Sequence, residues 1–169
     1  GIGDKQDNTF LKHYYLHGDV NLHSSLAKHG FSSDDVTDVF LTHLHFDHSG
    51  GATMIDTHGN LVPSFPNAIY YVSSDNWEAG INPSPRDSAS YLDLNFIPLE
   101  KACRLHLVPN NTEILKGIST IVVNGHTFGQ QLIKVYSSGE TLIFCSDLIP
   151  LRSHLNLPWI MGYDLNALL

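Results

Sequence analysis

Thr42-His43-Leu44-His45-Phe46-Asp47-His48-Ser49-Gly50-Gly51 is the stretch that decides the fold of this chain. Three imidazoles and one carboxylate fall within its residues 43–48. The preceding Val39-Phe40-Leu41 is apolar and β-prone, and Gly50-Gly51 suits a tight turn. The segment therefore reads as a strand end spilling into a loop, where side chains converge on one point. In extended backbone, His-x-His sets two rings on the same side. Asp47 and His48 must then turn toward a second centre. Imidazole nitrogen and carboxylate oxygen are the donors that a borderline divalent ion such as zinc prefers. One ion seldom takes four groups from so short a segment, so two neighbouring ions are expected. Histidine clusters also occur in disordered metal-sequestering tracts, but this one follows a hydrophobic strand in a chain of globular composition.

That composition is 42% hydrophobic and 15% charged over 169 residues, which excludes disorder and allows one domain, 1–169, with a real core. The net charge of −8 leaves no electrostatic footprint for nucleic acid, and bound cations would offset part of it. No apolar run approaches membrane-spanning length, so no membrane partner is expected. The opening Gly-Ile-Gly-Asp-Lys-Gln-Asp is a polar turn rather than a signal peptide, which points to the cytoplasm unless a leader precedes it. Cys103 and Cys145 make no disulfide framework; Cys145, in an apolar strand, is expected to be a small buried hydrophobe.

Along the chain, Leu22 and Leu26 carry helical spacing within 10–30, with Gly30 as a C-terminal stop. Ser32-Ser33-Asp34-Asp35 can cap a helical turn before the strand 39–41. A helix is expected to start at 51–55, a second after the capping pair Asp75 and Glu78, and a third over 86–95. Strands are expected at 68–72, 105–108, 118–123, 132–136 and 141–145, the last two flanking the hairpin loop Ser137-Ser138-Gly139-Glu140. Mixed strands and helices with several hairpins suggest helices packed outside β-sheets.

Two strand exits repeat the chemistry of the histidine cluster. His126, in Asn124-Gly125-His126-Thr127, follows strand 118–123, and Asp147, in Ser146-Asp147, follows the apolar run 142–145. A lone His or Asp after a strand is usually loop chemistry; these gain weight from the cluster.

Thr-His-Leu-His-Phe-Asp-His-Ser-Gly-Gly (42–51), Gly-His-Thr (125–127) and Ser-Asp (146–147), in that order, resemble the motifs of the metallo-β-lactamase-fold hydrolase superfamily. Gly-Ile-Gly-Asp-Lys near the start and Leu-Pro-Trp-Ile-Met-Gly-Tyr-Asp near the end are similar to segments of its general hydrolase branch. The resemblance implies an α/β (α+β) fold, an αββα sandwich with the metal site at one edge between the sheets. It implies that His43, His45 and His126 hold a first metal, that Asp47 and His48 hold a second, and that Asp147 bridges them. Asp47 and Asp147 are the catalytic residues implied, Asp47 orienting a hydroxide or passing a proton to the leaving group. The implied cofactors are two divalent ions, zinc first, with iron or manganese as alternatives. The function implied is a dinuclear metal-dependent hydrolase whose metal-bridging hydroxide attacks a small ester or lactone. The alternatives are a glyoxalase II-like thioesterase, a mononuclear iron persulfide dioxygenase and an inert metal-binding fragment. A small-molecule substrate and a homo-oligomer are the partners expected.

The chain departs from the family pattern in places. Phe128 and Gln130 stand where Gly-His-Thr-Pro-Gly-His has Pro and the second His, and Pro150 stands where lactonases carry Tyr. His45, where oxygen-reducing diiron members have Glu, argues against that branch. A late histidine of the second metal site has no counterpart, because His154 follows Asp147 too soon. The chain therefore reads as an incomplete sandwich, a central portion lacking N- and C-terminal segments. His13 and His17, four apart, could pair on a helix face but are better read as surface residues, and His23, His29, His58 and His106 have no evident partners. His154, Trp159, Met161 and Tyr163 line a pocket or serve in packing.

Overall fold

A computed structural model describes residues 1–169, the side chain of Asn8 excepted. Its elements are α1 (Asn8–His13), α2 (Leu22–Ala27), β1 (Asp38–Phe40), α3 (Phe46–Ser49), β2 (Thr53–Ile55), β3 (Leu61–Pro63), β4 (Ile69–Ser73), α4 (Ser74–Ile81), α5 (Ile97–Lys101), β5 (Leu105–Val108), β6 (Glu113–Leu115), β7 (Ile118–Val123), β8 (Gln130–Ser137) and β9 (Glu140–Phe144), with short 3-10 turns between them.

The Ile-Tyr-Tyr-Val-Ser run of β4 is apolar at consecutive positions because both its faces are covered, as in the centre of a parallel sheet. It lies between β1 and β5, parallel to each, in the order β1-β4-β5. β4 passes directly into α4, where Ser73 caps the helix by accepting from the Asn76 N–H at 3.1 Å. Trp77 of α4 meets Phe96 edge-on at 5.7 Å, and both join Leu41, Leu44, Tyr70, Val72, Tyr91 and Leu99 in the core. Gly80 lets that helix lie close, since even a Cβ there would reach 3.0 Å from Leu44 Cδ1.

The second large sheet is an antiparallel meander, β6-β7-β8-β9. β8 and β9 are joined by Ser138 and Gly139, with φ of 52° and 83°, as a two-residue hairpin of the right twist requires. β7 and β9 both run antiparallel to β8, so their C-terminal ends lie at the same edge of the sheet. The sheets meet at Gln131 of β8, whose side-chain amide donates to the carbonyls of Leu41 at 2.7 Å and Tyr71 at 2.9 Å. This brings the exits of β1, β7 and β9 to one place. A third sheet pairs β2 with β3.

The mixed α/β architecture and most strands follow the sequence reading; several helices do not. The segment 10–30 holds two short helices, α1 and α2, not one run, and α1 ends at His13, so His17 shares no helix face with it. Residues 51–55 form a 3-10 turn and then β2, because Ser64 and β3 supply strand partners that outweigh local helix preference. Residues 86–95 hold 3-10 turns and no α-helix; the next helix, α5, begins at Ile97, with Pro98 in its first turn. Cys145 is half-buried beyond the end of β9 rather than inside a buried strand. β9 is an edge strand, exposed at every position, so its apolar content does not signify burial. Among the described residues, no helix is long and apolar enough to cross a membrane.

Lys5 anchors the opening segment by donating to the carbonyls of Gly50 and Thr53, the latter at 3.1 Å. Burial pushes its amine down to about 8, with Asp4 opposing. Between about 8 and its ordinary 10.5, the folded chain binds fewer protons at Lys5 than the unfolded chain. Stability from this group therefore rises with pH across that window, and the burial penalty is fully present below it. Urea midpoints of the wild type and Lys5→Gln, compared across the window, should shift in favour of the wild type as pH rises. A gap that stays constant would show that the folded amine titrates normally.

Candidate metal centre

The chain leaves β1 through a clamp between the two sheets. The Leu41 N–H donates to the Tyr71 carbonyl at 3.1 Å, and the Gln131 N–H donates to the Thr42 carbonyl at 2.8 Å. Extended backbone continues to His45, so side chains alternate: Leu44 is sealed in the core while His43 and His45 face away from it. Then α3 begins. The N–H groups of His48 and Ser49 bond the His45 carbonyl at 3.0 and 2.9 Å, and Ser49 Oγ donates to the carbonyls of Leu44 and His45. That turn swings Asp47 and His48 out of line with the first two rings.

His126 comes from the loop joining β7 to β8, held by Gly129, whose N–H donates to Asn124 Oδ1 at 2.8 Å. Gly129 has a φ of 71°, and a Cβ on it would overlap the backbone of Asn76, so only glycine fits. Asn76, fully buried, ties the two histidine loops together. Its Oδ1 accepts from the Leu44 N–H at 2.8 Å and its Nδ2 donates to the Phe128 carbonyl at 2.6 Å. Asp147 lies in a 3-10 turn after β9, next to Ser146, which holds a strained φ of 47°. Ser146 Oγ donates to Thr42 Oγ1 at 3.1 Å, and Thr42 Oγ1 lies 3.2 Å from His43 Nδ1.

Five of the six residues singled out in the sequence meet in two donor sets; Asp47 is in neither and reaches the group through His48. Asp147 Oδ2 lies 3.1 Å from His48 Nε2, 3.4 Å from His126 Nε2 and 3.9 Å from His43 Nε2. His126 Nε2 is 3.2 Å from His45 Nδ1, and Asp47 Oδ2 is 3.4 Å from His48 Nε2. The donors form two sets that share His43: His43, His45 and His126, buried, and His43, His48 and Asp147, half-open, each with ligand atoms within 4.8 Å of one another. Two nitrogens on a tetrahedral zinc stand about 3.4 Å apart, from bonds of roughly 2.0–2.1 Å. The separations here bracket that spacing.

The charge balance differs around the cluster. Burial first, then the rings of His48, His45 and His126, hold His43 well below the usual histidine range. Burial and His126 bring His45 down to about 4. Both rings are therefore neutral near pH 7, the state a ligand needs. Burial also works against a charged ring at His48, but hydrogen bonds to Asp147 and Asp47 outweigh it and lift His48 to about 9. Asp47 is the mirror case: burial would raise its carboxyl, but the His48 hydrogen bond prevails and lowers it. His43 Nε2, which faces Asp147 at 3.9 Å, is buried without any hydrogen-bond partner within the chain; His45 faces the cluster through Nδ1. Such an atom costs stability unless something binds it, and a divalent cation is a binder its chemistry suits.

Thr42, Thr127 and Ser146, though within the motifs, carry no chemical role in the sequence reading, and Tyr91 and Asn76 are not singled out there. Tyr91 packs its ring 4.9 Å from that of His45, and its hydroxyl lies 2.8 Å from Thr127 Oγ1. Thr42, Thr127 and Ser146 sit beside motif histidines or the motif carboxylate, a signal that could have found them; Asn76 and Tyr91 lie far from the motifs along the chain. His154 lies in a 3-10 turn, in neither donor set. Gln130 is buried with neither amide atom partnered within the chain. A cavity of about 690 Å³ lies elsewhere, lined by Leu11, Leu16, Val20, Leu22 and Met54, and none of the cluster enters it.

Strand-exit imidazoles and carboxylates at the edge of a mixed α/β fold define a metal-site protein, and the comparisons say which kind. The chain matches the family described as the metallo-beta-lactamase superfamily over residues 7–167, and it belongs to that family. A probable metal-dependent hydrolase from Staphylococcus aureus is similar over 99% of the chain, with 30% identity and a TM-score of 0.88. AidC, a dizinc quorum-quenching lactonase, is similar over 91% with 26% identity and a TM-score of 0.72. The hydrolase AbOPH of the beta lactamase superfamily is similar over 86% with 25% identity and a TM-score of 0.73. The chain spans 59%, 56% and 53% of the lengths of these three proteins, respectively. No curated protein matches it significantly.

Asn76→Ala would leave the Leu44 N–H without a partner in the interior and the part-buried Phe128 carbonyl without its donor. At roughly 1–3 kcal/mol for the buried orphan, the loss should be at least about 1 kcal/mol in urea unfolding. A change within about 0.5 kcal/mol, that of an uninvolved surface residue, would show that Asn76 does not join the two loops.

Proposed function

We propose that this chain carries the active centre of a hydrolase that uses two divalent cations, zinc in the first instance, on small ester or lactone substrates. Residues 1–169 belong in this reading to one metallo-β-lactamase-like domain. The observation that carries it is the pair of donor sets sharing His43, with ligand atoms within 4.8 Å in each. Similarity to the dizinc lactonase AidC supports the choice of zinc and of a lactone.

His43, His45 and His126 would hold one cation, Asp47 and His48 the other, and Asp147 would lie between the two. When bound, the cations would supply Lewis acidity and water acidified to a pKa of about 7. The residues of the chain do the rest. Burial keeps His43 and His45 neutral, so their lone pairs are free at physiological pH. Asp147 brings negative charge between the two sets, which lets two cations approach. Asp47 has the most open side chain of the group at 47% exposure, against 20% for Asp147. Its Oδ2 can therefore meet a substrate, orienting the attacking water, taking up a proton from it and handing that proton to the leaving oxygen. The buried wall of Leu44 and Tyr91 behind the rings excludes bulk water from that side.

His43→Ala and His126→Ala should each lose tight binding of the first cation, read as metal content after dialysis. Asp147→Asn should stay folded and lose more hydrolytic activity than the about 10–100-fold that a ligand's hydrogen-bonding partners cost, because the amide keeps the shape and drops the charge between the cations. A panel of lactones, thioesters and phosphotriesters, tested on wild type, identifies the substrate class. Full metal content in both histidine variants, or wild-type turnover in Asp147→Asn, refutes the assignment; one iron per chain with no hydrolysis points to oxygenation instead.

A further inference from the structure

Residues 161–166 lie along the loop that carries His126. The Leu165 N–H donates to the His126 carbonyl at 3.1 Å, and the Asn166 N–H donates to the Gly125 carbonyl at 2.8 Å. Asn166 Nδ2 adds a bond to the Asn124 carbonyl at 3.0 Å. Within the segment, Asp164 Oδ2 accepts from the Met161 N–H at 3.0 Å, and the Asp164 N–H returns a bond to the Met161 carbonyl at 3.1 Å. Asp164 is thus held at both its backbone and one carboxylate oxygen. Its other oxygen, Oδ1, faces His126 Nδ1 at 3.2 Å. The contact is sheltered: the side chains are 16% and 4% exposed.

A carboxylate only accepts hydrogen bonds, and a neutral imidazole carries one proton. Asp164 therefore draws that proton to Nδ1 and leaves a lone pair on Nε2. That nitrogen points into the cluster, 3.2 Å from His45 Nδ1 and 3.4 Å from Asp147 Oδ2. His43 is held at its outer nitrogen by the Thr42 hydroxyl, which can donate or accept, so it selects no tautomer. Asp164 is the carboxylate that meets the outer nitrogen of a ring in the buried donor set. Its charge also raises the electron-donating power of the ring it holds.

We infer that Asp164 is a positioning residue that fixes the tautomer and the ring orientation of His126 so that Nε2 is presented to a cation. The inference rests on the reading of His126 as a ligand.

Four variants of the whole chain separate the possibilities: Asp164→Ala, Asp164→Asn, Asn166→Ala and His126→Ala. Zinc affinity is read by competition with a chromophoric chelator. The His126 tautomer is read in the zinc-free chain from long-range nitrogen–proton NMR correlations at alkaline pH. Asp164→Ala should weaken zinc binding by about 10–100-fold and turn His126 from the Nδ1–H form to a mixture. Asp164→Asn should fall between, because its single carbonyl oxygen serves either His126 Nδ1–H or the Met161 N–H, not both. Asn166→Ala loses a clamp bond without touching the ring, so it should lower the melting temperature and keep wild-type zinc affinity and tautomer. Wild-type zinc affinity and an Nδ1–H ring in both Asp164 variants overturn the inference. So does an equal loss of affinity in Asn166→Ala, which would make the segment a clamp only. Wild-type zinc affinity in His126→Ala overturns the ligand reading itself, and the inference with it; a loss there beside unchanged Asp164 variants overturns the Asp164 role alone.

Discussion

One oxygen of Asp147, facing three imidazole nitrogens at 3.1 to 3.9 Å, sets the conditions for everything around it. At such distances a pair of unit charges interacts by about 4 kcal/mol at an effective dielectric near 20. Burying an unpaired ion costs several kcal/mol, so exposure decides which ring carries charge. His48 is partly exposed and lies between two carboxylates, so it holds a proton to about pH 9. His43 is sealed and ringed by other imidazoles, so it does not. The cluster thus sorts itself into a neutral, buried half and a half-open half where positive charge is welcome. A divalent cation fits both, taking lone pairs from the first and balancing carboxylates in the second.

The scaffold serves this arrangement at some cost to itself. Ser146 is held at a φ that few residues other than glycine adopt, and two ring nitrogens are buried without partners. Strain and unsatisfied groups of this kind persist only where surrounding structure over-determines them. Here Ser49 closes α3 on two carbonyls, Gln131 of β8 bridges the sheets through its Nε2, and Asn76 joins the loops of His45 and His126.

The histidine motif was legible because its information is local. Two-residue alternation after an apolar strand dictates that His43 and His45 share a side and that Leu44 enters the core. Ser138-Gly139 announced its hairpin for the same reason, since the φ values of a two-residue turn depend on the two residues alone. Segments whose conformation depends on distant partners were not legible. Residues 53–55 form a strand because β3 is beside them, and 86–95 coil through 3-10 turns against the core instead of forming a helix. β9 looked like a buried strand and is an exposed edge, because apolarity states a preference and says nothing of what lies opposite.

The sequence by itself determined the donor types, their spacing and the strand exits on which they sit, because these follow from chain direction and side-chain alternation over a few residues. The tertiary structure alone decided that His48 meets Asp147 across 99 positions and that His126 meets Asp164 across 38. Those meetings depend on β7 and β9 running the same way on either side of β8, and on Gln131 fastening that sheet to the end of β1. Hydrogen-bond direction between strands fixes that polarity, and no short stretch of sequence records it.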